Sequence, residues 1–231
     1  ELDNNFMELN VVDLKFQGEL KWRIMPGLDV GVLAAMKYAT TSQEHRTMDE
    51  SNQALAYRAM PDATVIENNP YLYRDPDNPY DLPISLLPEG GIFQRTDYKM
   101  RGYDFRANFN WRKEFDEKHL ASLYGGMELN ALDRQNTFFR GWGLQYSMGE
   151  IPYYIYQYFK SSQESNNPYY QIVKTTSRMA SFFALGSYNY DRRYTLSATF
   201  RYEGSNKLGK SRSARWLPTW NIAGKWDIHE E

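Results

Sequence analysis

Asp13-Leu-Lys-Phe-Gln-Gly-Glu-Leu-Lys-Trp-Arg-Ile24 is the stretch on which the reading of the fold turns. Its even positions are Leu14, Phe16, Gly18, Leu20, Trp22 and Ile24, and its odd positions are all charged or amide side chains. A repeat of two places every second residue on the same side of an extended chain, so this is a strand with one greasy and one hydrated face. Its length suits a strand that crosses a membrane, which needs about 9–11 residues at a tilt near 45°. Met25-Pro-Gly27 then reads as a tight turn. The alternation resumes with Leu28, Val30, Val32, Ala34, Met36 and Tyr38 on one side, although the opposite side is less polar.

Outward from this hairpin, five more segments repeat the pattern. Tyr103, Phe105, Ala107, Phe109 and Trp111 alternate with Asp104, Arg106, Asn108, Asn110 and Arg112. Ala121, Leu123, Gly125, Met127 and Leu129 share a face, as do Phe182, Ala184, Gly186, Tyr188 and Tyr190. Leu196, Ala198, Phe200 and Tyr202 follow, and then Trp220, Ile222, Gly224 and Trp226. The expected strands are about 13–24, 28–40, 102–115, 119–130, 178–190, 194–203 and 216–228. Two long irregular stretches, 42–98 and 131–175, separate them, and the first holds six prolines from Pro61 to Pro88. Connections therefore run short, long, short, long, short, medium. Membrane barrels sort their connections this way, with long extracellular loops and short periplasmic turns. The expectation is an all-β fold, part of a large antiparallel transmembrane barrel. About seven strands leave two open edges, so further strands should complete it.

Composition agrees with that reading. Of 231 residues, 16% are aromatic, including 19 Tyr, and aromatics both favour strands and girdle membrane barrels at their rims. A mean hydropathy of −0.72 argues against helical spans only, because a barrel strand averages lipid-facing with lumen-facing residues. The net charge of −2 is evenly scattered, which removes a nucleic-acid surface. There is no Cys, and three His lie in separate segments. No nucleophile–base set can be assembled from them, so no catalytic residue, metal site or cofactor is expected, and the chain is not read as an enzyme. No apolar run has the length of a membrane helix. The abrupt opening Glu1-Leu-Asp3 suits an internal fragment or a processed product.

Three motifs carry competing readings. Gly204-Ser-Asn-Lys-Leu-Gly-Lys-Ser211 matches the phosphate-binding pattern GxxxxGKS, but that loop needs a helix starting at its end. Pro218 and strand alternation follow instead, favouring a polar loop. Asp75-Pro-Asp77-Asn-Pro-Tyr-Asp81 has oxygen ligands at short spacing but lacks the Gly and final acid of a Ca²⁺ loop. Trp142, Tyr146, Tyr153, Tyr154 and Tyr156, with Tyr158, Tyr169 and Tyr170 nearby, crowd the second long loop. They suit stacking on sugar rings or peptides, and equally suit packing of the loop on itself or on a partner. Arg106, Asn108, Arg112, Arg201 and Glu203 would face the lumen as structural ion-pair and hydrogen-bond partners, together with Lys15, Glu19, Lys21, Arg23, Asp104, Lys225 and Asp227.

From Tyr188-Asn-Tyr-Asp-Arg-Arg-Tyr-Thr-Leu-Ser-Ala-Thr-Phe-Arg-Tyr-Glu-Gly-Ser205, through Arg215-Trp-Leu-Pro-Thr-Trp-Asn-Ile-Ala-Gly-Lys-Trp226 to Glu230-Glu231, the sequence resembles the SusC/RagA family of TonB-linked outer-membrane importers of Bacteroidetes. Glu203 stands where the family has Asp, Leu208 near a usual Phe, and Leu217 before Pro218 where Phe is common. Gly27-Leu28 and Arg106-Ala-Asn-Phe-Asn110 also look like the family. The resemblance implies a 22-stranded barrel of the plugged kind, in the cell outer membrane of a Gram-negative, Bacteroidetes-like cell. Family members are far longer, with a plug domain and a TonB box that this chain lacks. By resemblance the function is TonB-dependent import of oligosaccharides or peptides. The partners implied are a SusD-like surface lipoprotein, the TonB-ExbB-ExbD complex acting through parts outside this chain, the remaining barrel strands and plug, and outer-membrane lipid. The competing reading is a soluble all-β glycan-binding or adhesin domain with the same aromatics as core and ligand platform. If Phe16, Trp22, Phe109 and Phe200 packed together in a dry interior, the membrane reading would fail.

Overall fold

The computed structural model describes residues 3–209, 211 and 215–228. Long strands dominate: β1 (Asn5–Met25), β2 (Leu28–Thr47), β5 (Gly91–Phe115), β6 (His119–Gln145), β8 (Tyr170–Tyr190), β9 (Tyr194–Ser205) and β10 (Trp216–Trp226). They form one sheet in the order β1-β2-β5-β6-β8-β9-β10, and the two-residue β7 (Ile151–Pro152) pairs with β6. The helices α1 (Asn52–Arg58), α2 (Ala63–Asn68) and α3 (Tyr156–Glu164) lie in the long connections, with the short pair β3 (Leu72–Tyr73) and β4 (Ile84–Ser85). Each long strand pairs with the next in sequence, as in an up-and-down meander.

The short connections are built by residues that take left-handed backbone. Gly27 has φ +83, and a Cβ there would stand 2.2 Å from the Arg112 carbonyl oxygen, so only glycine fits. Asp191 and Arg192 have φ 53 and 57, and Arg193 N–H donates to the Tyr190 carbonyl at 3.1 Å. Two positive-φ central residues make the mirror-image turn that follows strand twist. From that turn the β8–β9 register runs Tyr190↔Tyr194 to Met179↔Ser205, and β9–β10 runs Trp226↔Tyr194 to Trp216↔Gly204.

The strands extend well past their expected ends on the side of the long connections. β2 continues to Thr47, β5 begins at Gly91, β6 reaches Gln145, and β8 begins at Tyr170. Segments 42–98 and 131–175 are thus not wholly irregular. In β2 the added side chains are polar on both faces (Thr41-Ser-Gln-Glu-His-Arg46), and in β6 they mix polar with apolar without a period (Gln135-Asn-Thr-Phe-Phe-Arg140), so alternation vanishes while main-chain pairing continues.

Residues divide into two compact units, 1–12 with 40–99 and 135–174, and 13–39 with 100–134 and 175–231. The second unit is sheet, and one face of it is apolar and open to solvent. Phe16 is 67% exposed and Trp220 73%, while Trp22 and Phe200 are also exposed. Phe109 is half-buried because its ring lies over Gly125, where a Cβ would meet it at 3.0 Å. Trp216 likewise covers Gly204, stacking beside Tyr202 and Phe182 at 4.9 and 6.5 Å. These four aromatics do not meet in a dry core.

The first unit has a core of its own. Ala54, Leu87, Ile92, Trp142 and Tyr158 are buried together, with Tyr57, Leu86, Ile155 and Phe159 packed around them. Ser51 caps α1 by accepting from Ala54 N–H, and Asp62 caps α2 by accepting from Val65 N–H.

Candidate functional site: an ion-paired sheet face and a folded loop unit

The polar face of the second unit is a ladder of cross-strand charges. Lys37 reaches Asp13 at 3.3 Å, and Arg23 reaches Asp29 at 3.1 Å. Arg106 bonds Glu128 at 2.7 Å, and Arg201 bonds Glu203 at 2.7 Å while its far nitrogen lies 3.6 Å from Glu128. To reach Glu128 on β6 from β9, Arg201 must pass over β8. Ser181, paired with Glu203 and fully buried, supplies a side chain small enough to be crossed. Asn130 donates to Asp104 on the same face. Asn108 lies over Gly31, where a Cβ would stand 2.8 Å from its Oδ1. Arg112 is exposed beside the Gly27 turn. A hollow of about 1070 Å³ opens in this unit where Gln17, Ala35, Asp104, Asn130, Met179 and Ser205 sit side by side on successive strands. Glu128 and Ser181 were not singled out from sequence. The even positions of the 119–130 segment hold Glu128, and that parity was the available signal. Ser181 has meaning only once its neighbours are known.

The aromatics of the second long connection separate into two groups. Trp142 is 6% exposed. It stacks on Tyr158 at 5.1 Å, meets Tyr57 edge-on at 5.1 Å, and its Nε1–H donates to the Leu86 carbonyl at 2.5 Å. The ring is thus enclosed by protein and its polar handle is occupied. Trp142, expected as a possible ligand platform, is a packing residue. Tyr146 is half-buried and donates its hydroxyl to the Ile92 carbonyl at 3.0 Å, and burial pushes its phenol up to about 12. Burial raises Tyr158 to about 12 as well. Tyr153, Tyr154 and Tyr156 stay exposed, and the Tyr154 ring rests against Phe159 at 5.5 Å.

The acidic loop has a different occupant from the one its spacing suggests. Oxygens of Asp75, Asp77 and Glu164 lie within 4.8 Å of one another. The Lys160 ammonium of α3 stands among them, 2.5 Å from Asp75, 2.6 Å from Asp77 and 3.8 Å from Glu164. Tyr73 donates to Glu164 at 2.8 Å. The hydrogen bond from Lys160 holds Asp75 below the usual carboxylate range, and the same bond raises Lys160. Burial, then the bond to Glu164, pushes Tyr73 up to about 12. An ammonium fills the place a metal would take, so this cluster is a clasp between the two long connections. Lys160 lies 85 residues from Asp75, a distance no local pattern spans.

The described part of the phosphate-loop pattern lies in the connection between two strands. Gly204 and Ser205 end β9, Gly209 takes φ +77, and β10 follows from Trp216 with no α-helix among the described residues between them. Lys210 lies outside the described residues.

No protein-family profile matches the sequence. The chain is 28% identical over 135 residues to the TonB-dependent receptor P39 of Formosa agariphila, a match covering 56% of this chain and 12% of that protein. The structure of the RagAB peptide transporter superposes with a TM-score of 0.68 over 99% of this chain and 21% of that one, at 16% identity. The RagAB peptide importer in its 'closed-closed' state gives 0.67, with 15% identity and the same coverage. The chain thus spans about an eighth to a fifth of the relatives it matches.

Proposed function

From the premise that this chain is a barrel segment of a SusC/RagA-like TonB-dependent outer-membrane protein, we propose that it forms part of the wall and outer loops of an importer for oligosaccharides or peptides. The observation that carries this reading is the two-sided sheet of the second unit. One face is an ion-paired, hydrated surface, and the other exposes large apolar side chains from edge to edge, Phe16 and Trp22 on β1 and Phe200, Trp220 and Ile222 on β9 and β10. Water does not tolerate so large a contiguous apolar face on a soluble monomer, whereas acyl chains do. That asymmetry argues against the soluble glycan-binding or adhesin domain.

In this reading the ligand meets the loop unit first. Tyr153, Tyr154 and Tyr156 offer exposed rings with hydroxyl handles, suited to stacking and hydrogen bonding at once. A SusD-like lipoprotein closes over that side. TonB, energised through ExbB and ExbD, pulls on a plug carried outside this chain, and the ligand passes along the charged face. Arg106, Asn108, Arg112, Arg201 and Glu203 line that path as wall residues.

Deletion of the gene, tested for growth on defined oligosaccharides and on peptides as sole carbon source, checks the reading. Loss of growth on one class, restored by the wild-type protein and weakened by Tyr154→Ala with Tyr156→Ala, supports it. A protein that stays monodisperse without detergent and leaves both growth modes intact would refute it.

A further inference from the structure

In the loop unit, Arg140 is held in place by neighbours that carry no negative charge. Phe138, Arg140 and Trp142 alternate along β6 and so share a face. The guanidinium lies over the Phe138 ring, 5.3 Å from its centroid. From β5, the side-chain oxygen of Gln94 accepts from Arg140 Nη2 at 3.1 Å and from Nε at 3.3 Å. The Arg140 backbone N–H donates to the Tyr169 carbonyl at 2.7 Å, which ties this part of β6 to the residue before β8. Tyr57 of α1 and Tyr158 of α3 approach from the loop helices. Burial pushes both phenols up, and the positive charge of Arg140 opposes that push in each.

Other partly buried cations of this unit are saturated. Arg46 meets Glu44 at 3.2 Å and Glu150 at 3.5 Å, Lys160 meets Asp75 and Asp77, and Arg58 donates to the backbone carbonyls of Asp49, Leu87 and Gly90. Among the described residues, Arg140 meets no carboxylate and only the neutral amide of Gln94. Acids on the elements around it are engaged elsewhere, Asp97 by Arg95, Glu89 by Gln145, and Glu164 by Tyr73 and Lys160. Gln94 occupies the Nε–Nη2 edge of the guanidinium. The Nη1–Nη2 edge keeps its fork of N–H donors, and Nη1, which has no acceptor among the described residues, is not buried. Charges drawn out of water are ordinarily paired or fully hydrogen-bonded, so a half-buried guanidinium with an open fork is set for a partner of opposite charge.

We propose that Arg140 is an anion subsite of the loop unit that takes a carboxylate of the imported molecule across its Nη1–Nη2 fork, with Gln94 and Phe138 as positioning residues. Two parallel N–H groups match the two oxygens of a carboxylate in spacing and in plane. Gln94 fixes the guanidinium without neutralising it, which a glutamate at the same position would do. The ring of Phe138 offers its negative face to the cation and keeps water from one side of it. Partial burial strengthens the pair, because charges attract more strongly where water is scarce. Both ligand classes of the importer reading can carry this group, as a uronic acid on a sugar chain or as the C-terminus of a peptide.

The inference rests on the importer reading, and its test separates the two. In the intact protein in detergent, phenylglyoxal modification of Arg140 is followed at the peptide level by mass spectrometry. Glucuronate and N-acetyl-alanyl-alanine are the carboxylate probes, and glucose and N-acetyl-alanyl-alanine amide are their neutral counterparts. At least one carboxylate should slow modification of Arg140 several-fold, the neutral molecules should not, and the exposed Arg112 should react at an unchanged rate. The stronger of the two protections identifies the source of the carboxylate. Gln94→Glu, which sets a carboxylate of the protein itself on the guanidinium, should slow modification with no probe present and remove the further effect of the probes. Absence of protection by both carboxylates, equal protection by the neutral molecules, or protection that persists in Gln94→Glu overturns the inference, whatever the gene deletion does to growth. Protection as expected, with growth on both ligand classes untouched by the deletion, overturns the importer reading and leaves the anion subsite standing.

Discussion

Trp142→Ala offers the sharpest test of whether the loop aromatics hold the structure or the ligand. The side chain is all but buried, stacked on Tyr158, edge-on to Tyr57, and bonded to the Leu86 carbonyl. Removing a buried aromatic side chain costs about 3–5 kcal/mol, transfer and cavity together. The orphaned Leu86 carbonyl adds about 1 kcal/mol unless water reaches it. The loop unit need only open locally, so the full figure sets the upper limit of what is observed. A loss of about 3 kcal/mol is roughly a hundredfold in an equilibrium constant. Amide exchange between Ser51 and Leu87 and across Tyr156–Glu164 should therefore accelerate about a hundredfold, with the β8–β9 amides unchanged. Trp142→Phe keeps a ring on Tyr158 and should lose only about 1–2 kcal/mol. Unaltered exchange in the alanine variant, together with a large loss of ligand affinity, would refute the packing role.

Ile222→Arg places a charge near the middle of the apolar face and should destabilise the folded state in lipid by about 2–4 kcal/mol. Asn221→Arg, one residue away on the opposite face, should cost well under 1 kcal/mol, and urea titration in lipid vesicles distinguishes them. Ser181→Leu puts bulk where Arg201 crosses β8 and should cost about 1–3 kcal/mol by overpacking, read as a lower midpoint in the same titration. The Lys160 clasp should depend on pH on both sides. Asp75 is depressed, so its contribution is full above about 3.9, its unfolded value, and is lost as pH falls through the lower folded value. Lys160 is raised, so its share is full below about 10.4 and is lost as pH rises through the folded value above that. Exchange in residues 72–85 should thus be slow from about pH 4 to 10 and speed up outside it. Lys160→Met should remove that dependence and create calcium-dependent heat in calorimetry, where the wild type gives none.

The sheet was legible because one physical constraint, a boundary between grease and water, writes a repeat of two into every strand that meets it. Asp13–Ile24 and Tyr194–Tyr202 carry it undiluted. Beyond Tyr38 both faces are polar, and beyond Asn130 apolar and polar side chains mix without a period of two, so nothing in the residue types marks that pairing continues to Thr47 and Gln145. The helices escaped notice because six to nine residues flanked by Pro and Asn are too short for a helical repeat to declare itself. At the site, the charged side chains of β5 and β9 were readable from parity. Which of them meet was not, since the Arg201–Glu128 contact depends on the small residue between them. Tyr and Trp look alike in a sequence until burial is known, and Trp142 is buried while Tyr156 is exposed.

Among the described residues, the outermost strands, β1 and β10, each have a single neighbour. Along those margins a row of amide donors and carbonyl acceptors faces outward with nothing to bind. Made alone, such a sheet would find its complement in other copies of itself, growing edge to edge into insoluble ribbons. In the barrel proposed above, the same two seams are where adjoining staves would lock on, giving this segment its solubility and its closure.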